Sequence, residues 1–136
     1  MLKVVVDTNV FISGLWGGRN SAKIIKALNN NHFLLLISPE LIKELSYTLL
    51  KPKFHKVITV SRARRFIAFI KSKARCITPS ANITICRDPS DNMVLNCAIS
   101  ADADCIVSGD ADLIVLHPHR NIDIISPAEF VKRLEK

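Results

Sequence analysis

The sequence predicts an α/β fold in three layers, α/β/α, with helices on both faces of a central, mainly parallel sheet. Short apolar runs rich in branched residues recur along the chain: LKVVV (2–6), FLLLI (33–37), CIVS (105–108) and NIDIIS (121–126). The first three are apolar without alternation, as strands buried on both faces are, whereas a sheet with one wet face alternates. Between the runs lie longer stretches whose apolar residues repeat at helical spacing. Strands alternating with helices are the signature of parallel crossover units.

Taken in order, LKVVV is the first strand, and NVFISGLW (9–16) predicts a helix that stops at Gly17-Gly18. Ser21 is placed to cap a second helix, AKIIKALNN, with Ile24, Ile25 and Leu28 on one face. The second strand, FLLLI, runs into Ser38-Pro39-Glu40, a helix start with Pro in its first turn. Leu41, Ile42, Leu45 and Leu49 form the buried stripe of that helix. Pro52 ends it. Ser61 is placed to cap the next helix, in which Phe66, Ile67 and Ile70 face inward while Arg62, Arg65, Lys71 and Lys73 stay in water. Arg75-Cys76-Ile77 reads as a short strand. Asp88-Pro89-Ser90 leads into DNMVLNCAISA, a helix with Met93, Val94, Cys97 and Ala98 inward. CIVS and NIDIIS are the remaining strands, and Pro127 opens the closing helix AEFVKRLEK. With no repeat, low-complexity tract or linker in between, residues 1–136 are expected to form a single domain, long enough to bury a core.

Hydrophobic residues make up 49% of the chain, which excludes wholesale disorder. No apolar run approaches the roughly twenty residues that span a bilayer. The stretch before Asp7 is too short for the apolar region of a secretory signal, so a cytoplasmic protein without a membrane partner is expected. Cys76, Cys86, Cys97 and Cys105 form no CxxC pair and have no His at zinc-ligand spacing; all four are expected as reduced thiols.

The net charge of +7 is unevenly spread. Residues 51–75 hold nine Lys and Arg and no Asp or Glu, whereas the rest of the chain holds 10 basic and 12 acidic residues. A solvated helix face is the ordinary reading of one charge run. The segregation from the acids makes a polyanionic partner its equal, with lysines and arginines neutralising phosphates.

Four acids sit where apolar segments end: Asp7 after VVV, Glu44 within SPELIKEL, Asp91 in RDPSDN and Asp110 in IVSGDAD. In a parallel sheet, ligands bind beyond the C-terminal strand ends, where Asp7 and Asp110 fall. Converging carboxylates raise one another's pKa values, and hard divalent cations relieve the conflict. Oxygen-only ligands favour Mg²⁺ or Mn²⁺ over zinc. These residues therefore point to a metal-dependent enzyme acting on phosphate esters. Each acid also has an ordinary reading. Asp7 or Asp91 could cap a helix, Glu44 could be a solvated residue of an amphipathic helix, and Asp110 and Asp112 could shape a turn. Asp88 could take the capping role and leave Asp91 free.

The motifs VVVDTNVFIS, SPELIKELSYTLLKPKF, RDPSDNMVLNCAISADAD, IVSGDADLIVL and IISPAEFVKRL, in this order, resemble the PIN domain, a small nuclease fold found in many prokaryotic toxin–antitoxin toxins. The likeness covers essentially the whole chain, and it is similar in particular to toxin components that carry an RDPxDN element. It implies a Rossmann-like strand order and an acidic quartet of Asp7, Glu44, Asp91 and Asp110, with Asp91 favoured over Asp88 for the third place by its distance from the apolar helix. Asp88 and Asp112 match auxiliary acids, and Asn9 and Ser108 match polar positions that support the site.

The resemblance further implies a ribonuclease in which Mg²⁺ or Mn²⁺ is held by Asp7, Asp91 and Asp110, with Glu44 either a ligand or the group that orients water. RNA, a cognate antitoxin and a second copy of the chain are the implied partners. From charge alone, Lys51, Lys53, Lys56, Arg62 and Arg65 are expected to receive the RNA backbone, with strong salt dependence. Phe11, Leu15 and Trp16 are candidates for an interface or for the core. The alternative is a non-catalytic RNA-binding or complex-assembly module with a vestigial site. A haloacid dehalogenase phosphatase needs a second Asp where Asn9 stands, and a receiver domain needs an early acidic pair; neither pattern is present, nor is a GxxxxGK phosphate loop.

Overall fold

A computed structural model describes residues 1–135. Its elements are β1 (Lys3–Val6), α1 (Thr8–Leu15), α2 (Arg19–Asn29), β2 (Leu34–Ile37), α3 (Pro39–Leu49), a 3₁₀ turn (Pro52–Phe54), α4 (Val60–Lys73), β3 (Arg75–Cys76), α5 (Pro89–Ser100), β4 (Cys105–Val107), α6 (Ala111–Ile114), β5 (Asp123–Ile125) and α7 (Pro127–Leu134). The five strands form one sheet in the order β3-β2-β1-β4-β5, and every pairing is parallel. This is the expected three-layer α/β/α class with a Rossmann-like order.

Val4, Val5 and Val6 are all buried, as are Leu35, Leu36 and Ile37 and Cys105, Ile106 and Val107. Successive strand residues point to opposite faces, so runs of this kind require cover on both. Side chains of this size stabilise the fold by about 1.5–3 kcal/mol each when fully buried. Edge-to-face aromatic pairs tie the layers together: Phe11 of α1 with Phe66 of α4 at 5.8 Å, and Phe33, just before β2, with Phe130 of α7 at 5.2 Å. No helix among the described residues is long and apolar enough to cross a membrane.

The caps depart from expectation in two places. Ser21 does not start α2. Gly17, at φ 103°, turns the chain, and the helix begins at Arg19 with Gly18 as its cap. Ser21 is instead buried inside the helix, where α1 approaches so closely that a Cβ on Gly14 would lie 3.0 Å from the Ser21 carbonyl oxygen. Ser61 does not cap α4 either. Thr59 does, its hydroxyl accepting from the Arg62 backbone N–H at 3.1 Å. Ile58 and Ala63, immediately before the cap and at the fourth helical position, are both fully buried, and that pair of positions sets the entry of the chain into the helix.

Smaller differences follow local hydrogen bonding. The third strand is two residues long, with Ile77 donating to Ile37 across it at 2.7 Å. The fifth spans only Asp123–Ile125, because Ser126 caps α7. In α5 Leu95 is fully buried while Met93 is only partly so. Phe11 lies in the core, Leu15 packs on it, and Trp16 is exposed. All four cysteines are free thiols, and burial pushes Cys97 and Cys105 up to about 12.

Candidate active site

The chain winds from β1 to β2 and β3 on one side, then returns to β4 and β5 on the other. The strand order therefore reverses at the boundary of β1 and β4, and such switch points leave a crevice beyond the C-terminal strand ends. Asp7 is the first residue past β1 and Ser108 the first past β4. Because Val6 pairs with Val107, the two are brought side by side. The Asp7 N–H continues the ladder to the Val107 carbonyl at 2.9 Å, and the Ser108 hydroxyl donates to Asp7 Oδ2 at 2.8 Å. Asp7 Oδ1 accepts from the Asn9 N–H at 3.3 Å, which caps α1. The helix-capping reading and the site reading of Asp7 are thus both satisfied by one residue.

Asp110 stands two residues beyond Ser108. Its N–H donates to the Ser108 hydroxyl at 3.0 Å, and its Oδ1 caps α6 by accepting from the Asp112 N–H at 2.9 Å. Asp91 arrives from α5. Asp88 caps that helix through the Ser90 N–H at 2.9 Å, leaving the Asp91 side chain to turn inward, where it is 4% exposed and its Oδ2 has no hydrogen-bond partner. Glu44 comes from the middle of α3. Its Oε1 accepts from the Thr8 hydroxyl at 2.9 Å, and its Oε2 is buried without a partner.

Burial pushes the Asp7 carboxyl above its ordinary value in spite of its two donors, and the charges of Glu44 and Asp110 push the same way. Burial likewise raises Asp91, to about 7, reinforced by Asp110 beside it and by Asp7 and Asp88. Oxygens of Asp91, Asp110 and Asp112 lie within 4.8 Å of one another. The tightest triad therefore includes Asp112, an auxiliary acid in the sequence reading, while Asp7 and Glu44 complete the wall.

An open cavity of about 410 Å³ is lined by the acids Asp7, Glu44, Asp88, Asp91 and Asp110 and by Asn9, Tyr47, Lys51, Lys53 and Phe54. A second opening, of about 380 Å³, shares Asp7, Asn9 and Asp110 and extends past Ser13 and Ser21. Of the basic residues singled out from charge, Lys51 and Lys53 reach the first cavity; Lys56, Arg62 and Arg65 are exposed but do not line it.

A family model described as the PIN domain matches residues 3–112. The chain belongs to the PIN domain family. An uncharacterized protein of Methanocaldococcus jannaschii, MJ1680, is 32% identical over 144 residues, a match covering 99% of this chain and 93% of the relative. Among solved structures, PAE2754 from Pyrobaculum aerophilum superposes with a TM-score of 0.66 at 15% identity, over 99% of this chain and 90% of that one. VapBC2 from Rickettsia felis, solved with a DNA fragment from the promoter, gives 0.63 at 17% identity, over 92% and 98%. At such identities these two likenesses speak for the fold alone.

Two residues of this PIN domain site were not singled out by sequence reasoning. Thr8, directly after Asp7 in the sequence, holds Glu44 through its hydroxyl. Arg87 donates from one guanidinium nitrogen to both Asp112 oxygens, at 3.0 and 3.1 Å, and is otherwise exposed. The R of RDPSDN was the available signal for it.

Proposed function

We propose that this PIN domain is a Mg²⁺- or Mn²⁺-dependent endoribonuclease that hydrolyses RNA phosphodiester bonds, and that it is the toxin of a cytoplasmic toxin–antitoxin pair. The observation that supports catalysis most directly is the pair of orphaned oxygens, Asp91 Oδ2 and Glu44 Oε2, buried in an acid-lined cavity at the switch point. A buried carboxylate oxygen without a donor is costly, and native structures rarely keep one without a use. The donor set is all oxygen, which fits a hard divalent cation.

Asp7, Asp91 and Asp110 would hold the ion, with Asp112 within reach and Glu44 at the side. The bound cation supplies Lewis-acid polarisation of the phosphoryl oxygen and a more acidic water. Ser108 and Thr8 hold Asp7 and Glu44 in orientation. Glu44 Oε2, its second oxygen fixed by Thr8, takes the proton of the attacking water. The water oxygen bonds to phosphorus, the opposite bridging P–O bond breaks, and the departing oxygen is protonated from solvent. Lys51 and Lys53 bind the strand's phosphates at the cavity, and Lys56, Arg62 and Arg65 extend that field. The dimer reading draws on the sequence resemblance alone, and the antitoxin reading on that resemblance together with the VapBC2 complex named for one structural neighbour.

The test is labelled RNA incubated with Mg²⁺, Mn²⁺ or EDTA, using the wild type, Asp7→Asn and Asp91→Asn. Metal-dependent cleavage lost in both variants is the expected result. Salt-sensitive RNA binding by all three without cleavage would instead favour a non-catalytic binding module. For the toxin reading, induced expression should arrest growth of a host only when Asp7 is intact; equal growth of both strains would remove it.

A further inference from the structure

One face of the acid-lined cavity carries aromatic and basic groups that hydrolysis itself does not use. Tyr47 is 71% exposed, although the helix that bears it buries Leu41, Leu45 and Leu49. The Lys51 ammonium lies 5.1 Å from the centre of the Tyr47 ring. Two residues on, the Lys53 ammonium lies 5.1 Å from the centre of the Phe54 ring, which meets the half-exposed Trp16 edge-on at 5.0 Å. Tyr47, Lys51, Lys53 and Phe54 line the same cavity as Asp7, Glu44, Asp91 and Asp110. Tyr47 also follows Glu44 by three residues in α3, which puts the two on one helix face, about one turn apart.

We propose that Tyr47 is a stacking platform for an unpaired base beside the scissile phosphate, with Lys51 and Lys53 on the flanking phosphates. The inference rests on the nuclease reading and adds a base-binding residue to it. Single strands are bound by aromatic faces interleaved with cations, because every base has a π-face and every nucleotide a phosphate. In a duplex the base faces are covered by neighbouring pairs and are not free to stack on the exposed ring. A second copy of this chain is the poorer occupant. A two-fold contact through this surface would set Lys51 and Lys53 near their own counterparts, and like charges across an interface are unfavourable.

Binding is measured by fluorescence anisotropy in EDTA, so that cleavage plays no part. The probes are a short labelled RNA strand and the same strand annealed to its complement, and the proteins are wild type, Tyr47→Ala and Tyr47→Phe. The wild type should prefer the single strand. Tyr47→Ala should weaken single-strand binding about tenfold with little change for the duplex, and Tyr47→Phe should restore most of the loss. Thermal melting confirms that the exposed substitutions leave the fold intact. Equal affinity of the wild type for both probes, or unchanged single-strand affinity in Tyr47→Ala, would overturn the platform. So would a Tyr47→Ala variant whose only change is a smaller assembly in sedimentation. Cleavage with Mn²⁺ is scored separately. Tyr47-dependent binding without cleavage would sink the nuclease reading and leave the platform standing; cleavage indifferent to Tyr47 would do the reverse.

Discussion

Ser108 Oγ donates a hydrogen bond of 2.8 Å to Asp7 Oδ2, joining the ends of two neighbouring parallel strands. The same hydroxyl accepts from the Asp110 N–H at 3.0 Å, so one side chain orients two of the acids. Replacing Ser108 by Ala leaves a buried carboxylate oxygen and a backbone N–H without their partner. Divalent-ion affinity is expected to fall about 10- to 100-fold, as when the supporting partner of a metal ligand is removed. Stability is expected to fall by about 1–3 kcal/mol. Mn²⁺ titration by calorimetry and a denaturant melt check the two figures, and wild-type affinity in Ser108→Ala would refute the orienting role.

The raised pKa of Asp91 makes stability depend on pH with a definite sign. Its folded value of about 7 lies above the ordinary carboxylate value of 3.8, so between these limits the folded state binds more protons than the unfolded state. Stability of the metal-free protein should therefore decrease as pH rises from about 4 to about 7 and level off above. Asp7, also raised, acts in the same direction. Mg²⁺ favours the ionised carboxylates and should flatten or reverse the slope. Asp91→Asn removes the buried charge, so it should raise the metal-free Tm at pH 8 while abolishing cleavage. Scanning Tm in EDTA and in Mg²⁺ from pH 5 to pH 8 decides this, and a metal-free Tm that climbs with pH would contradict it.

The two lysines in the cavity should outweigh the arginines outside it. Removing a phosphate contact to a single strand lowers the slope of log affinity against log salt by about 0.7. The Lys51→Ala, Lys53→Ala double variant should thus lose about 1.4 from the slope and lower kcat/KM more than the Arg62→Ala, Arg65→Ala double variant. Equal losses in both would mean that the cavity does not set the RNA path.

Close packing of α1 on α2 predicts a stability effect remote from the acids. A Cβ on Gly14 would meet Ile25 Cδ1 at 2.5 Å and the Ser21 carbonyl oxygen at 3.0 Å. Ile25 can swing its end away, whereas the backbone oxygen cannot. Gly14→Val should destabilise by about 1–3 kcal/mol through overpacking, and Gly14→Ala by less. Chemical denaturation measures both; a Val variant as stable as the wild type would mean that the helices separate freely.

The strands were legible because unbroken runs such as VVV and FLLLI admit few other folds, and because Asp7 directly after Val6 and Asp110 three residues after Val107 mark where the runs stop. Asp88 and Asp91 were separable by capping logic, which the Ser90 N–H bears out. The caps Thr59 and Gly18 were not legible. Ser is the better cap by intrinsic preference, so the choice of Thr59 over Ser61 falls to the burial of Ile58 and Ala63, and α2 is placed by the approach of α1 at Gly14. Glu44 was the hardest of the acids, since a glutamate in mid-helix looks the same in sequence whether wet or buried.

By itself the sequence determined the alternation of strands and helices, the position of Asp7 and Asp110 just past two strands, the segregation of positive charge into residues 51–75, and a resemblance specific enough to name the family. These are local properties, fixed by periodicity, by capping chemistry and by motif order. The tertiary structure alone decided that Thr8 holds Glu44, that Asp112 joins Asp91 and Asp110 within 4.8 Å, and that Lys51 and Lys53, unlike Arg62 and Arg65, line the cavity that the acids line. Those relationships join elements far apart in the chain, and they exist only because a parallel sheet brings all its C-terminal strand ends to one edge and reverses its order there.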